Sequence, residues 1–208
     1  MNMPKIFSLQ VAASLLAAML AACSSLPTHY YTLQPPAQAT DSTAAMTAAF
    51  QIDVLPVEIP AQVDQQQMVV RKGVGEVTPV DTRRWIAPLG SEIRSALSAD
   101  LSARLGAKDV YGLAAQPGVP TYRIKLNVRR FDSALGVYAR IDAVWTVRSG
   151  DSPGPACSSS VSETVAPGYA ALAEGHQRAL AQIAGDIAAS ILSARKSGTA
   201  PVCAAKSG

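Results

Sequence analysis

The chain has 208 residues, of which 49% are hydrophobic and 16% are charged, and its formal net charge at pH 7 is +3. This length suits one domain with a sizeable core. The charge is too small to indicate a nucleic-acid partner, so we expect none.

The first 22 residues have the order of a secretory signal peptide. Lys5 is followed by an apolar run over residues 6–20, and two alanines then precede Cys23. The run contains Gln10 and Ser14 and is too short for a good membrane-spanning helix. We therefore expect residues 1–22 to be a cleaved signal.

The four residues Leu20-Ala21-Ala22-Cys23 resemble the bacterial lipobox. The resemblance implies that the thiol of Cys23 receives a diacylglycerol and that the new amine is acylated, for example with palmitate. Three acyl chains make a durable anchor, whereas one chain binds only marginally. Inner-membrane lipoproteins typically have Asp after this cysteine, so Ser24 favours the periplasmic face of the outer membrane. The alternative is a secreted protein with a chance cysteine.

The mature N-terminus, residues 23–49, is predicted to be a lipidated segment with little regular structure. Residues 30–33 are β-prone and could be a first strand, and residues 34–49 are rich in Pro, Ala, Thr and Ser, which is typical of a loop. The seven residues from Cys23 to Tyr30 reach roughly 25 Å when extended. The folded part should therefore lie close to the membrane.

The next segments predict strands and a first helix. Residues 50–60 are strand-like but contain Pro56 and Pro60, and two short extended segments flank Gly73–Gly75 as a hairpin. A helical pattern begins at Arg84, with Trp85 at its start, Pro88 in its first turn and Gly106 at its end. The apolar positions that recur every three or four residues are Ile86, Leu89, Ile93, Leu97, Leu101 and Leu105. Residues 109–113 are predicted as a short strand, which would complete a βαβ unit.

Three alternating segments then predict an antiparallel meander over residues 121–131, 136–148 and 156–166. Phe131 is out of phase with its strand, which indicates a bulge near Arg129–Arg130. A second helix is predicted over residues 169–194. Its apolar stripe contains Leu172, His176, Leu180, Ile183, Ile187 and Ile191. The fold class is α/β: a single mixed β-sheet covered by two long amphipathic helices, forming one domain over residues 50–196.

Cys157 and Cys203 remain once Cys23 is lipidated. The periplasm is oxidising, so a disulfide is one interpretation. Two unpaired thiols are the other, because Cys203 lies in residues 197–208, which resemble a disordered tail. Both stay open at this point.

Motifs for chemistry are few. His29 and His176 are far apart without ligand-spaced partners, so no metal is predicted. The chain lacks a Gly-x-Ser-x-Gly elbow, and Gly73-x-Gly75 alone does not make a phosphate loop. We expect neither catalysis nor a cofactor.

A basic face is predicted on the meander, from Arg123, Lys125 and Arg129 with Arg140 and Arg148 on the next strand. The favoured interpretation is the solvated outer face of a one-sided sheet. The functional interpretation is contact with anionic lipid headgroups or an acidic partner.

The order of segments resembles the ABC-type transport auxiliary lipoproteins of the PqiC family. The resemblance rests on CSS and HYYTL near the N-terminus, IDVLPVEIPAQVDQQQMVVR, RRWIAPLGSEIRSALSADLSARL, and PGYAALAEGHQRALAQIAGDIAASI. The chain departs from the family in the segment IPAQVDQQQ, where an aromatic and an Arg-Pro are often found.

The resemblance implies a fold similar to the N-terminal domain of TolB. It also implies a non-enzymatic, outer-membrane docking component of an MCE and ABC-type phospholipid transport system, with an MCE-domain partner, outer-membrane phospholipid and a homo-oligomeric ring. Tyr30, Tyr31 and Trp85 are candidate contacts because aromatic residues are enriched at hot spots, although Trp85 could instead cap the core. The alternative functions are a scaffolding lipoprotein of another envelope machine and a lipid-modified hydrolase, which the lack of a nucleophile motif disfavours.

Overall fold

The computed structural model describes residues 26–34, 48–150 and 154–203. The predicted signal peptide, Cys23, Ser24 and most of the predicted loop at residues 34–49 lie outside the described residues. The elements are β1 (His29–Tyr31), β2 (Gln51–Val54), a 3-10 turn (Ala61–Val63), β3 (Gln67–Arg71), β4 (Val77–Trp85), α1 (Leu89–Leu105), β5 (Thr121–Ala134), β6 (Tyr138–Ser149), β7 (Ala156–Thr164) and α2 (Tyr169–Ser197).

The strands form two sheets, so the prediction of a single mixed sheet is wrong. One has the order β1-β4-β3, and the other has the order β2-β5-β6-β7. Both are mixed, since β1 runs parallel to β4 and β2 runs parallel to β5, whereas the remaining pairs are antiparallel. The α/β class and the two helices are confirmed.

The break between the sheets lies at the prolines after β2. Leu55 still donates its N–H to Ile124 O, but Pro56 and Pro60 have no N–H to continue a ladder. The chain keeps one bridge to β5, between Glu58 and Asn127, and then turns through the 3-10 turn into β3. The predicted β3–β4 hairpin is confirmed, with its turn at Gly73–Gly75.

The first helix starts later than predicted, at Leu89, because β4 continues through Trp85. Trp85 N–H donates to Gln66 O. The β3–β4 hairpin therefore includes Arg84 and Trp85, which the sequence pattern had predicted to be helical. Ile86 is consequently 59% exposed rather than part of the apolar stripe. Gly106 caps the helix at φ 59°, a left-handed conformation that favours glycine.

The predicted strand at residues 109–113 is absent from the described elements. Asp109 makes only an isolated parallel bridge with Ile52. The parallel partner of β2 is instead β5, which is reached only after the β3–β4 hairpin and α1. The prediction of a compact βαβ unit that ends in a strand at residues 109–113 is therefore wrong.

The meander β5-β6-β7 is confirmed, as is the bulge, which lies between Val128 and Arg130. All six residues of the predicted α2 stripe are buried. Gly175 lets α2 approach the sheet, because a Cβ there would lie 2.3 Å from Val165 Cγ1 and 2.9 Å from Ala139 Cβ. Both helices contribute to one main core with the inner faces of the strands.

Candidate functional site

The segment that follows the predicted anchor is fixed to the domain by strand pairing. β1 pairs with the end of β4, with Tyr30 opposite Arg84 and Tyr31 opposite Trp85. Ile86 then donates its N–H to Tyr31 O. The chain after β1 does not leave the surface but enters the core, where Leu33 is fully buried.

Both helices hold this segment. Glu92, a buried acid in the first turn of α1, accepts hydrogen bonds from Thr32 Oγ1 at 2.7 Å and from Leu33 N–H at 2.8 Å. From α2, Gln177 Nε2 donates to Thr32 O at 3.0 Å and to Gln34 O at 3.4 Å. We call Thr32, Leu33, Glu92 and Gln177 the tether clamp. The N-terminal segment is therefore hydrogen-bonded to both helices and to the β1-β4-β3 sheet.

The three predicted aromatic contacts have different environments. Tyr30 is 57% exposed, and Tyr31 is partly buried against the core. Trp85 is only 3% exposed and packs edge-to-face on Phe131 at 5.9 Å. The indole therefore packs in the core, which favours the alternative interpretation of Trp85 over a partner contact.

Acidic residues form ion pairs with several cations of the predicted basic face. Arg123 pairs with Asp53 at 2.9 Å, and Lys125 pairs with Glu58 at 2.9 Å. The hydrogen bond and charge of Lys125 lower the pKa of Glu58. Arg129 is exposed on the strand bulge and has no ion pair with the described residues.

The neighbouring part of this face is also balanced. Asp142 lies between Arg140, at 3.0 Å, and Arg130, at 3.5 Å, and accepts a hydrogen bond from Ser160. Partial burial acts to raise the pKa of Asp142, but the hydrogen bonds from Ser160 and Arg140 outweigh it and lower the pKa. The surface is thus a network of ion pairs, and this favours the solvated outer face over a strongly cationic docking patch.

A second polar cluster was not found from sequence. Arg71, at the end of β3, donates from Nε to both carboxylate oxygens of Asp132 at 2.9 Å, and from Nη1 to Gly73 O and Val74 O at 3.3 and 3.1 Å. Tyr138 also donates to Asp132. Arg71 therefore ties the turn of the β3–β4 hairpin to β5.

The one buried histidine is in an apolar pocket. His176 shares a 2.8 Å hydrogen bond between Nε2 and Ser133 Oγ and stacks on Phe131 at 3.9 Å. Its Nδ1 has no partner among the described residues. Burial lowers the pKa of His176 to about 3. A neutral ring with no access to solvent is a packing element rather than an exposed base.

Cys157 and Cys203 form a disulfide in the structure. It links the start of β7 to the chain after α2. Ser190 Oγ donates to Val202 O in the same region. These contacts give residues up to Cys203 a defined position, within the segment that sequence alone had indicated as a tail.

A cleft of about 550 Å³ lies beside the segment that departs from the family pattern. Its walls are mostly apolar, with Arg94 stacked on Tyr111 at 4.2 Å. The adjoining loop exposes Gln62, Asp64 and Gln66. Among the described residues, no group of acids, histidines and cysteines could hold a metal ion.

The sequence profile of the ABC-type transport auxiliary lipoprotein components matches residues 31–188. This span includes the tether clamp, both sheets except the first two residues of β1, and most of α2. The chain belongs to the family of ABC-type transport auxiliary lipoprotein components. No curated protein sequence matches the chain.

Two solved structures share the fold at low sequence identity, and a third has a weaker structural match. An uncharacterised protein is 17% identical with a TM-score of 0.64, and the alignment covers 80% of this chain and 99% of that one. A Xanthomonas campestris protein of the DUF330 family is also 17% identical, with a TM-score of 0.58 and coverage of 83% and 98%. A PelC dodecamer from Paraburkholderia phytofirmans has a TM-score of 0.40, 11% identity and coverage of 65% and 85%. In the part of the chain with described structure, neither helix is long and apolar enough to cross a membrane.

Proposed function

We propose that this auxiliary lipoprotein is anchored at the periplasmic face of the outer membrane. There it docks an MCE and ABC-type phospholipid transport system. The family match over residues 31–188 carries the proposal. The tether clamp supports it, because an anchored docking component must transmit the position of its lipid to its folded part.

The docking surface we propose is the loop at residues 61–66 and the cleft beside it. The loop exposes polar side chains, and the cleft is lined by Val57, Ile59 and Pro88 among others. An apolar cleft with a polar rim is the usual anatomy of a surface that receives a partner. The face of β5 and β6 is less suited, since four of its six cations already have acids beside them.

The proposed role is not enzymatic. A nucleophile needs a base within hydrogen-bond reach and access to substrate. Ser133 and His176 meet the first condition, but both are buried. The nearest carboxylate in sequence, Asp132, is occupied by Arg71 and Tyr138 rather than by the histidine.

The test is photo-crosslinking in cells that also express a candidate MCE-domain protein from the same genome. A benzoylphenylalanine at Gln62 or Asp64 should crosslink to that protein, whereas the same group at exposed Glu174 on α2 should not. A crosslink from the loop to a different envelope machine would favour a scaffolding role. No crosslink from either loop position would contradict docking through this surface.

The homo-oligomeric ring that the family resemblance implies is tested separately. A subunit interface of at least about 1,000 Å² is needed for stable association. Light scattering of the detergent-solubilised mature protein should show an oligomer. A monomer at high concentration, together with no capture of the MCE protein, would contradict the proposed docking role.

A further inference from the structure

Three connections lie at one end of the molecule. The turn of the β3–β4 hairpin is tied by Arg71 to Asp132, which lies near the end of β5. The β5–β6 turn follows directly, and its Gly136 lies against Pro167 in the connection from β7 to α2. We call these three connections, residues 72–76, 135–137 and 165–168, the loop end.

The N-terminal segment enters the domain from the side of the loop end. β1 runs parallel to β4 with His29 opposite Arg83, and β4 begins at Val77, next to the hairpin turn. The chain therefore enters β1 from the side of that turn. Cys23 is six residues before His29 and can lie up to about 20 Å from it. The six residues from Arg83 back to Val77 span the same distance, about 20 Å.

Apolar side chains project from the loop end. Val74 at the hairpin turn is fully exposed, Val137 in the β5–β6 turn is 58% exposed, and Leu135 is 37% exposed. The exposed charges on the hairpin turn, Lys72 and Glu76, are opposite in sign. The loop end is thus a set of separate apolar tips with almost no net charge of its own.

Part of the backbone of these turns is already hydrogen-bonded. Lys72 and Gly73 donate their N–H groups to Glu76 O, and Val137 donates to Ala134 O. Arg71 satisfies the carbonyls of Gly73 and Val74. Unsatisfied backbone groups are costly in a lipid environment, so this arrangement makes it less costly for the turns to leave water.

We propose that the loop end rests on the lipid bilayer that holds the acyl chains of Cys23, with Val74 and Val137 entering its interfacial layer. The inference rests on the lipidation in the proposed function. It adds which surface faces the membrane and how the domain is oriented. The docking loop and cleft are then oriented relative to the bilayer by the same contacts.

A bilayer fits these tips better than a protein partner does. A stable protein interface buries at least about 1,000 Å² on a continuous, complementary surface. Three small side chains on two separate turns do not supply such a surface, whereas shallow insertion into a bilayer needs no shape complementarity. Because the tips are apolar and the local charges balance, the contact should depend little on anionic lipid or on salt.

The experiment uses the mature lipidated protein reconstituted in phosphatidylcholine vesicles. Single cysteines at Val74→Cys and Val137→Cys carry an environment-sensitive fluorophore, and the vesicles contain a lipid with a spin-label quencher at shallow acyl depth. Leu113→Cys is the matched control, since Leu113 is 60% exposed and lies at the opposite end of the 14-residue strand β5. Leu113 N–H donates to Val110 O, and Val110 donates in turn to Ile52 O, beside the start of β5. That strand spans about 45 Å. The parent protein without an added cysteine measures any labelling of Cys157 and Cys203.

Both tip labels should shift their emission to the blue and lose about half of their fluorescence to the quencher, while the control label should be unaffected. Mass spectrometry of the N-terminal peptide reports lipidation in the same samples. Acylated protein with unquenched tip labels would overturn the inference and leave the proposed function intact. Protection of the tips only at high protein density in the vesicles would assign them to a second copy. Protein without acyl chains would contradict the lipidation on which both rest.

Discussion

Glu92 accepts a hydrogen bond from the backbone N–H of Leu33 at 2.8 Å, although the two residues are 59 positions apart in sequence. The same oxygen accepts from Thr32 Oγ1 at 2.7 Å. A buried carboxylate is costly unless it is hydrogen-bonded, and here Thr32 and Leu33 supply the donors. The segment that follows the predicted lipid anchor is consequently part of the folded core rather than an appendage to it.

Glu92→Ala should destabilise the domain by about 2–4 kcal/mol, because it removes two charge-assisted hydrogen bonds and leaves the Leu33 N–H buried without a partner. Urea unfolding of the mature protein measures the loss as a lower midpoint. Glu174→Ala, which removes an exposed acid from α2, is the matched control and should leave the midpoint nearly unchanged. Equal midpoints for the two variants would show that the clamp contributes nothing to stability.

The sequence predicted the local elements better than their assembly. Alternation of side chains identified the meander and its bulge because each strand buries one face, and that pattern is local. The division into two sheets depends on which distant strands pair, and local periodicity does not report this. The helix start was misplaced because the spacing of Ile86, Leu89 and Ile93 fits a helix, whereas the hydrogen bonds of β4 extend to Trp85.

One residue of the tether clamp, Glu92, could have been identified from the sequence pattern. Glu92 is three residues after Leu89 and four before Ala96, so it lies on the buried face of α1, where an acid needs an explanation. Its partners could not be inferred, since Thr32 and Gln177 lie far away in sequence. The cluster of Arg71, Asp132 and Tyr138 is non-local in the same way.

Leu97→Asp and Ile183→Asp should each unfold the domain or destabilise it by more than about 4 kcal/mol, since both side chains are fully buried in the main core and neither site offers a partner for a charge. Thermal unfolding followed by circular dichroism measures the effect. Leu192→Asp on α2 is the control, because Leu192 is 50% exposed. An unchanged melting temperature for Leu97→Asp or Ile183→Asp would contradict the two-helix core.

His176 should make the stability of the domain depend on pH. Burial lowers its pKa from 6.5 to about 3, so between these values the unfolded chain binds a proton that the folded domain does not. The contribution of neutral His176 to the free energy of unfolding is therefore fully present above pH 6.5. It falls as the pH is lowered towards 3, by up to about 1.4 kcal/mol per pH unit. In His176→Leu this part of the slope should disappear, whatever the variant's stability at pH 7.

Urea titrations at several pH values between 4 and 7 measure this slope. His29→Gln, which removes the exposed histidine of β1, is the control and should keep it. A parent protein and a His176→Leu variant with parallel pH profiles would show that His176 is not the group responsible.

The Cys157–Cys203 disulfide closes 46 residues of chain, for which the chain-entropy model gives about 4 kcal/mol. Cys157→Ser, Cys203→Ser and the double variant should all lose roughly this amount, and the double variant should lose no more than either single change. Thiol labelling of the denatured parent protein should find no free thiol. Full labelling of both cysteines would show that the bond does not form in the cell.

Sorting should depend on the two residues at the predicted cleavage site. Cys23→Ala should leave an uncleaved or mislocalised protein, because the thiol that receives the diacylglycerol is gone. Ser24→Asp should divert part of the protein to the inner membrane. Thr28→Asp adds the same charge beyond the sorting position and is the matched control. Density-gradient fractionation measures all three. Normal outer-membrane fractionation of Cys23→Ala would refute the anchor, and an unchanged distribution of Ser24→Asp would remove the sorting argument while leaving the anchor in place.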